Sequence, residues 1–304
     1  MENISLKNRV AVVTGAGRAL GRAYALLLAE YGAKVVVNDL GTDGEGYGSS
    51  PAVAQQVVDE IRAKGGEAQA DAADVASVDG GRSIVQQALD TWGRIDIVVN
   101  NAGICGSKPF AESTLADFEH YWRIHVGGHV NVTRAAWPYL QKQGYGRVIM
   151  TSSGAGLYGL HGQSTYSAAK GAIHGLMRTL AIEGAEHGIR VNGILPGGFS
   201  RMHEAAISDP AVLDMMRRAM PPELVAPAVV WLASESCDVS GEEFAVWSGR
   251  IARVGIGTGP GYVDSALTAE KISRHREMLD ALANFYEPRN AIDEVTHWQT
   301  VAKK

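Results

Sequence analysis

The sequence predicts an α/β fold: a doubly wound parallel sheet of about seven strands, with a helical insertion late in the chain and a helical C-terminal tail. Three observations predict it. Short β-branched runs alternate with longer helical stretches, which implies right-handed crossovers and one parallel sheet. The runs are continuously apolar, as in strands covered on both faces. A glycine-rich turn links the first run to the first helix, the arrangement of a Rossmann sheet.

The elements run in order along the chain. Val10–Thr14 (VAVVT) reads as a strand, Ala19–Tyr31 as a helix, Lys34–Asp39 as the second strand and Ala52–Lys64 as the next helix. A short strand near Glu67–Asp71, a helix near Ser77–Trp92 and the strand Ile95–Asn100 come next. One long helix is expected over Leu115–Gln143. A fifth strand covers Gly146–Thr151, a helix Thr165–His187 and a sixth strand Ile189–Leu195. A helix near Val225–Ala233 precedes a seventh strand at Phe244–Trp247. Three segments break the rhythm: the glycine-rich loop Gly41–Ser50, the helical insertion Gly198–Pro222 with Met202, Met215, Met216 and Met220, and the tail Ala269–Lys304. No repeat or linker divides the chain. A single domain over 1–304 is expected, with a core of about 6–254 and a tail of about 269–304.

Bulk composition narrows the function. The 304 residues are 46% hydrophobic and 20% charged, ordinary for a globular protein able to bury a large core. The net charge of −5 offers no basic field for nucleic acid or anionic lipid, so neither partner is expected. No run of 18 apolar residues exists and the N-terminus lacks a secretory pattern. Only Cys105 and Cys237 occur, neither at metal-ligand spacing with a His. No metal is expected, and reduced thiols suit a cytoplasmic setting.

The cofactor candidates lie at strand ends. Gly15, Gly17, Arg18, Ala19, Leu20 and Gly21 form the turn into the first helix. Glycines let the backbone approach a pyrophosphate, and the helix offers free N–H groups. The last glycine falls one residue later than in G-x-G-x-x-G, and taken alone the turn also fits a purely structural bend. Asp39 ends the second strand 18 residues after Gly21. It can accept both adenosine-ribose hydroxyls and would repel a 2′-phosphate, so the expected cofactor is NAD. Arg18 argues the other way, since a guanidinium there could hold that phosphate. Asp74 and Val75 follow the third strand, where the carboxylate could accept from the adenine amino group. Asn101, Ala102 and Gly103 follow the fourth, where small residues suit a backbone lying against a ribose.

The chemical candidates come later. Tyr166 and Lys170 are four residues apart on one helix face. A nearby ammonium favours the phenolate of a tyrosine whose free pKa is about 10. Ser153, 13 residues before Tyr166, could hold a substrate oxygen. As an isolated fragment, Tyr-x-x-x-Lys is more often solvated or packed than catalytic. Here it comes after Ser153 and the cofactor signals.

TGAGRALG, NNAG, Ser153, YSAAK and Leu195-Pro196-Gly197 resemble, in order and spacing, the short-chain dehydrogenase/reductase family over about Val10–Gly197. The resemblance implies a tetrad containing Ser153, Tyr166 and Lys170, with Lys170 also holding the nicotinamide ribose. It adds Pro196 and Gly197 to the cofactor set. The fourth family member is usually an asparagine in Asn-x-x-Gly. The matching stretch here is His125-Val126-Gly127-Gly128, so His125 either organises the relay water or is packed.

A narrower resemblance rests on GRAYALLLAEYGAKVVVNDLG, the loop after it, VTRAAW, YGRVIMTSS, GFSRM and LVAPAVVWLASESC, running from about Leu6 to Val254. These look like the dehydrogenase domains of peroxisomal multifunctional enzymes of type 2, which also carry a His at the position of His125. The resemblance implies NAD-dependent oxidation of a (3R)-hydroxyacyl-CoA. The hydratase and sterol-carrier domains of those enzymes do not fit in 304 residues. A free hydroxysteroid or other hydrophobic alcohol is the alternative substrate, and a non-catalytic NAD-binding sensor the alternative class. The insertion's methionines fit an adaptable apolar lid or ordinary packing equally. Family practice implies a homodimer or homotetramer through the two long helices. The tail beyond Ala269 has no counterpart in this resemblance and is expected to cover a neighbouring subunit or the active-site mouth.

Overall fold

Apolar runs become central strands because helices cover both of their faces. The computed structural model describes residues 4–200, 204, 207–280 and 285–301. β1 (Val10–Thr14), β4 (Ile97–Asn100) and β5 (Gly146–Thr151) are buried along their whole length. With β2 (Lys34–Asn38), β3 (Ala68–Asp71), β6 (Ile189–Gly197), β7 (Glu243–Trp247) and β8 (Arg250–Val254) they form one sheet ordered β3-β2-β1-β4-β5-β6-β7-β8. All registered pairs from β3 to β7 are parallel, with Val12 opposite both Val36 and Val98. The order reverses between β1 and β4, and such a switch point opens a crevice at the strands' carboxyl ends.

The helices bury two apolar layers. α1 (Ala19–Glu30) and α2 (Ala52–Ala63) cover one face with Tyr24, Leu28, Val58 and Ile61, joined by the helix Ala226–Ala233. α3 (Val78–Trp92), α5 (Gly128–Gln143) and α7 (Ser164–Gly184) cover the other with Ile84, Leu140, Ile173 and Met177. Each such side chain contributes about 1.5–3 kcal/mol of burial free energy. Ser77 starts α3 by accepting from Gly80 N–H at 2.9 Å.

Three elements differ from the expected pattern. Leu115–Gln143 is not one α-helix. α4 (Leu115–Trp122) and α5 are joined by a π-helical turn, Arg123–Gly127, where its last residue Gly127 and the following Gly128 hold an α-helix weakly. A short helix, α6 (Gly154–Tyr158), comes after β5. The sheet gains an eighth strand through a two-residue turn. Ser248 and Gly249 both have positive φ, 49° and 79°, as a tight antiparallel hairpin requires.

The insertion contains the helix Pro210–Ala219, started by Asp209 accepting from Ala211 N–H. Met215 is exposed, Met216 and Met220 are half-buried, and Met202 lies outside the described residues. The chain divides into two compact units, Met1–Arg253 and Val254–Lys304. The second contains short helices at Ala269–Arg274, Arg276–Asp280 and Ala291–Val301, and Tyr262 stacks on His275 at 4.1 Å. Among the described residues no helix is long and apolar enough to cross a membrane, and no group of three or more His, Cys, Asp or Glu is placed to hold a metal ion. Both cysteines are unpaired thiols.

Candidate active site

The switch point places the glycine turn against the end of β4. Gly15 has φ +61°, and a Cβ on it would sit 2.8 Å from Ala102 Cα. A Cβ on Gly21 would sit 2.1 Å from the Gly15 carbonyl oxygen. Only a residue without a side chain lets these backbones approach so closely. Asn101 fastens the junction: its Nδ2 donates to the carbonyls of Thr14 (3.0 Å) and Gly15 (3.1 Å). Thr14 Oγ1 accepts from the N–H groups of Asn101 and Ala102. Arg18 begins α1 without a side-chain capping bond, so the helix's first N–H groups stay available to an anion.

Asp39 is held from two sides. Its Oδ2 accepts from Gly17 N–H at 2.8 Å and its Oδ1 from Gly41 N–H at 2.7 Å. Arg18 Nη1 donates to the Thr42 carbonyl at 3.1 Å. The resulting cleft is lined by Gly15, Arg18, Ala19, Leu20, Gly21, Asp39, Asp74, Val75, Asn101, Ala102 and Gly103. Gly17 lies off the wall, packed against the Asp39 carboxylate and Val53. Pro196 and Gly197 also lie off it, at the end of β6 opposite Val246 and Trp247.

The chemical candidates gather beyond the end of β5. Ser153 caps α6 by accepting from Ala155 N–H at 3.2 Å, and its hydroxyl is close enough to act on the phenol of Tyr166 on the first turn of α7. Lys170, one turn further, is buried, and its Nζ donates to the Thr151 carbonyl at 2.7 Å. That ammonium lies 5.6 Å from the centre of the Tyr166 ring. His125 occupies the π-helical turn, fully buried, with its ring edge-on to Tyr166 at 5.3 Å. Its Nε2 lies 2.8 Å from the Ile104 carbonyl oxygen and 3.2 Å from the Ile104 N–H. Nδ1 has no hydrogen-bond partner. The His125 carbonyl accepts from His129 Nδ1 at 2.6 Å.

Burial dominates the electrostatics of the protein alone. It pushes the Tyr166 phenol up, and the Ser153 hydroxyl opposes it. The same burial lowers Lys170 from 10.5 to about 7. His125 is held well below its usual range by burial and then by the Lys170 charge. His129 falls to about 3 for the same two reasons.

Several wall residues escaped the sequence reading. Asn38, Thr42, Gly44, Gly46, Ile104, Arg123, Ile124 and Ser200 also line the cleft. The only signal for the loop positions among them was the glycine-rich composition of Gly41–Ser50. The stack of Tyr121 on the His125 ring (5.9 Å) depends on the π turn and had no sequence signal.

Comparison with known proteins agrees with this geometry. Residues 9–210 match the short chain dehydrogenase family. Peroxisomal multifunctional enzyme type 2 of Mus musculus is 50% identical over 246 residues, covering 81% of this chain and 32% of that protein. The full-length structure of the enzyme of the same name from Drosophila melanogaster superposes with a TM-score of 0.79 at 35% identity, covering 99% of this chain and 50% of that one. The alignment with that structure extends beyond Ala269. A 7α-hydroxysteroid dehydrogenase complexed with NADH and 7-oxo glycochenodeoxycholic acid gives a TM-score of 0.74 at 31% identity, covering 82% of this chain and 98% of that one. The chain spans about a third of the mouse relative's length. By the matched residues, the sheet order and the site they build, this chain belongs to the short-chain dehydrogenase family.

Proposed function

We propose that the protein oxidises a secondary alcohol with NAD, and that the substrate is a (3R)-hydroxyacyl-CoA, giving the 3-ketoacyl-CoA. One observation carries the reading: Ser153, Tyr166 and Lys170 converge beside a cleft whose glycine turn has no room for side chains. The cleft's chemistry fits a dinucleotide. The open start of α1 suits a pyrophosphate, the crowded Gly15 and Gly21 admit its close approach, and Asp39 is an acceptor for ribose hydroxyls. Asp39 also favours NAD over NADP, because a carboxylate there repels a 2′-phosphate. Arg18 is engaged with the Thr42 carbonyl, which supports the same choice.

Tyr166 takes the alcohol proton and Ser153 steadies the oxygen from which it leaves. NAD, when bound, would supply the hydride acceptor and a positive charge that favours the phenolate. Lys170, anchored on the Thr151 carbonyl, would also hold the nicotinamide ribose. Gly17, packed against Asp39, and Pro196 and Gly197 at the end of β6 complete the proposed cofactor set. His125 stands where the family places its relay asparagine; its edge-on contact with Tyr166 supports a positioning role.

The acyl-CoA substrate is supported by the multifunctional enzymes among the relatives. A free hydroxysteroid is the second reading, supported by the 7α-hydroxysteroid dehydrogenase neighbour. We also take the chain as one functional domain, a homodimer or homotetramer, in the cytoplasm, where two unpaired thiols are at home. The test is a panel of hydroxyacyl-CoAs and hydroxysteroids followed by NADH absorbance, with wild type and Tyr166→Phe. Turnover with (3R)-hydroxyacyl-CoA and NAD should fall at least about a hundredfold in the variant, the scale of a lost proton acceptor, while NAD affinity survives. Equal turnover in both proteins, or NAD binding without turnover of any alcohol, refutes the reading.

A further inference from the structure

The ten residues Gly41–Ser50 do more than connect strand to helix. The loop Gly41–Ser50 closes on itself at its base, where Ser50 N–H donates to the Leu40 carbonyl at 2.9 Å and Asp39 holds Gly41 N–H. Its tip is folded by Asp43, whose Oδ1 accepts from the N–H groups of Glu45 and Tyr47, and whose own N–H donates to the Tyr47 carbonyl. Thr42, Asp43, Gly44 and Gly46 form part of the cofactor-cleft wall.

This wall is fastened from outside by α4. The His120 ring stacks nearly parallel on Tyr47, with centres 5.4 Å apart and planes 10° apart. The same ring donates from Nε2 to the Glu45 carbonyl at 2.9 Å. A Cβ on Gly46 would sit 3.0 Å from Ile104 Cγ2 and 3.2 Å from Ile124 Cδ1, so the loop backbone lies directly on the two isoleucines of the opposite wall. Tyr47 is 62% exposed. It fills no core, and its described ring contact is the stack on His120. An exposed aromatic held by one stacked partner at the rim of a ligand cleft is positioned to keep that rim in place.

We propose that Tyr47 and His120 form a latch that holds the Gly41–Ser50 loop over the bound dinucleotide and sets the rate at which NADH leaves. The latch rests on the cofactor reading. Neither residue belongs to the proton-transfer group, so it acts on cofactor retention rather than on the chemical step. The pair works as a unit, because removing either ring ends the same stack.

NADH release from the intact protein, followed by stopped-flow fluorescence, tests it. Tyr47→Ala and His120→Ala should each release NADH about three- to tenfold faster, the range one aromatic stack spans. Tyr47→Phe keeps the ring and should release at the wild-type rate. The double alanine variant should be no faster than the faster single one. Wild-type release from Tyr47→Ala with an unchanged thermal midpoint overturns the latch, as does release from Tyr47→Phe as fast as from Tyr47→Ala. Failure of wild type to bind NADH at all refutes the cofactor reading instead.

Discussion

Lys170 should make the cofactor-free protein more stable as pH rises from 7.5 to 9.5, and Lys170→Met should remove that gain. The lysine is 3% exposed, and burial lowers its pKa from 10.5 to about 7. The unfolded chain keeps this proton to about pH 10.4, whereas the folded chain gives it up near 7. Below pH 7 both states carry the proton, and the folded state bears the whole cost of a buried ammonium. Between 7 and about 10 the unfolded state binds more protons, so stability rises with pH. Across 7.5–9.5 the rise is on the order of 2 kcal/mol, or several degrees in thermal midpoint for a chain of this size. His125 and His129 are depressed by burial too, and their gain is complete once pH exceeds about 6.5, below this window. Cys105 and Cys237 are raised by burial and act in the opposite sense near pH 9; the Lys170 charge lowers Cys105, so losing it in Lys170→Met raises that thiol further and adds to the loss of the gain. Differential scanning calorimetry of wild type and Lys170→Met at the two pH values reads the difference directly. Superimposable pH dependence in the two proteins would refute the buried-ammonium argument.

Two further substitutions test the cleft. Gly21→Ala places a methyl 2.1 Å from the Gly15 carbonyl oxygen and should cost at least about 2 kcal/mol, with NAD affinity falling in parallel; a wild-type melting curve would show that the turn is not so tight. Asp39→Asn removes the charge while keeping the shape, so the NAD-to-NADP preference in kcat/KM should drop at least about tenfold, equivalent to one lost charge-assisted bond; an unchanged ratio would move cofactor discrimination elsewhere.

The parallel core was legible because its signal is local. Val10–Thr14 and Gly146–Thr151 announce double-sided burial in their own composition, and both strands appear with the expected bounds. β8 was missed because Arg250–Val254 is largely exposed and carries two arginines, so nothing in its pattern advertises a sheet edge. The break between α4 and α5 was missed because the residues around His125 fit helical periodicity on either side of the turn. Among the residues that line the cleft, those at strand ends stand at spacings the sequence displays. Ile104, Ile124 and the loop positions enter the cleft only through tertiary folding, which brings segments far apart in sequence onto one wall. Tyr166 and Lys170 share a face of α7, as their spacing predicts, but the burial that raises the phenol and lowers the lysine leaves no mark on that spacing. Burial is a property of the whole fold, and here it outweighs the neighbouring cation.

The widened turn at Arg123–Gly127 makes this stretch intolerant of length changes. Each helical residue turns the remainder of the rod by about 100°. Deleting one residue here would let the rod regularise, but it would then have to choose. Either Val132, Ala136 and Leu140 keep their inward face, or the His125 imidazole keeps its aim at Ile104 and Tyr166. Substitutions that preserve residue count can be absorbed along this rod, whereas a single-residue indel would uncouple its core-facing half from the turn that aims His125 at Tyr166.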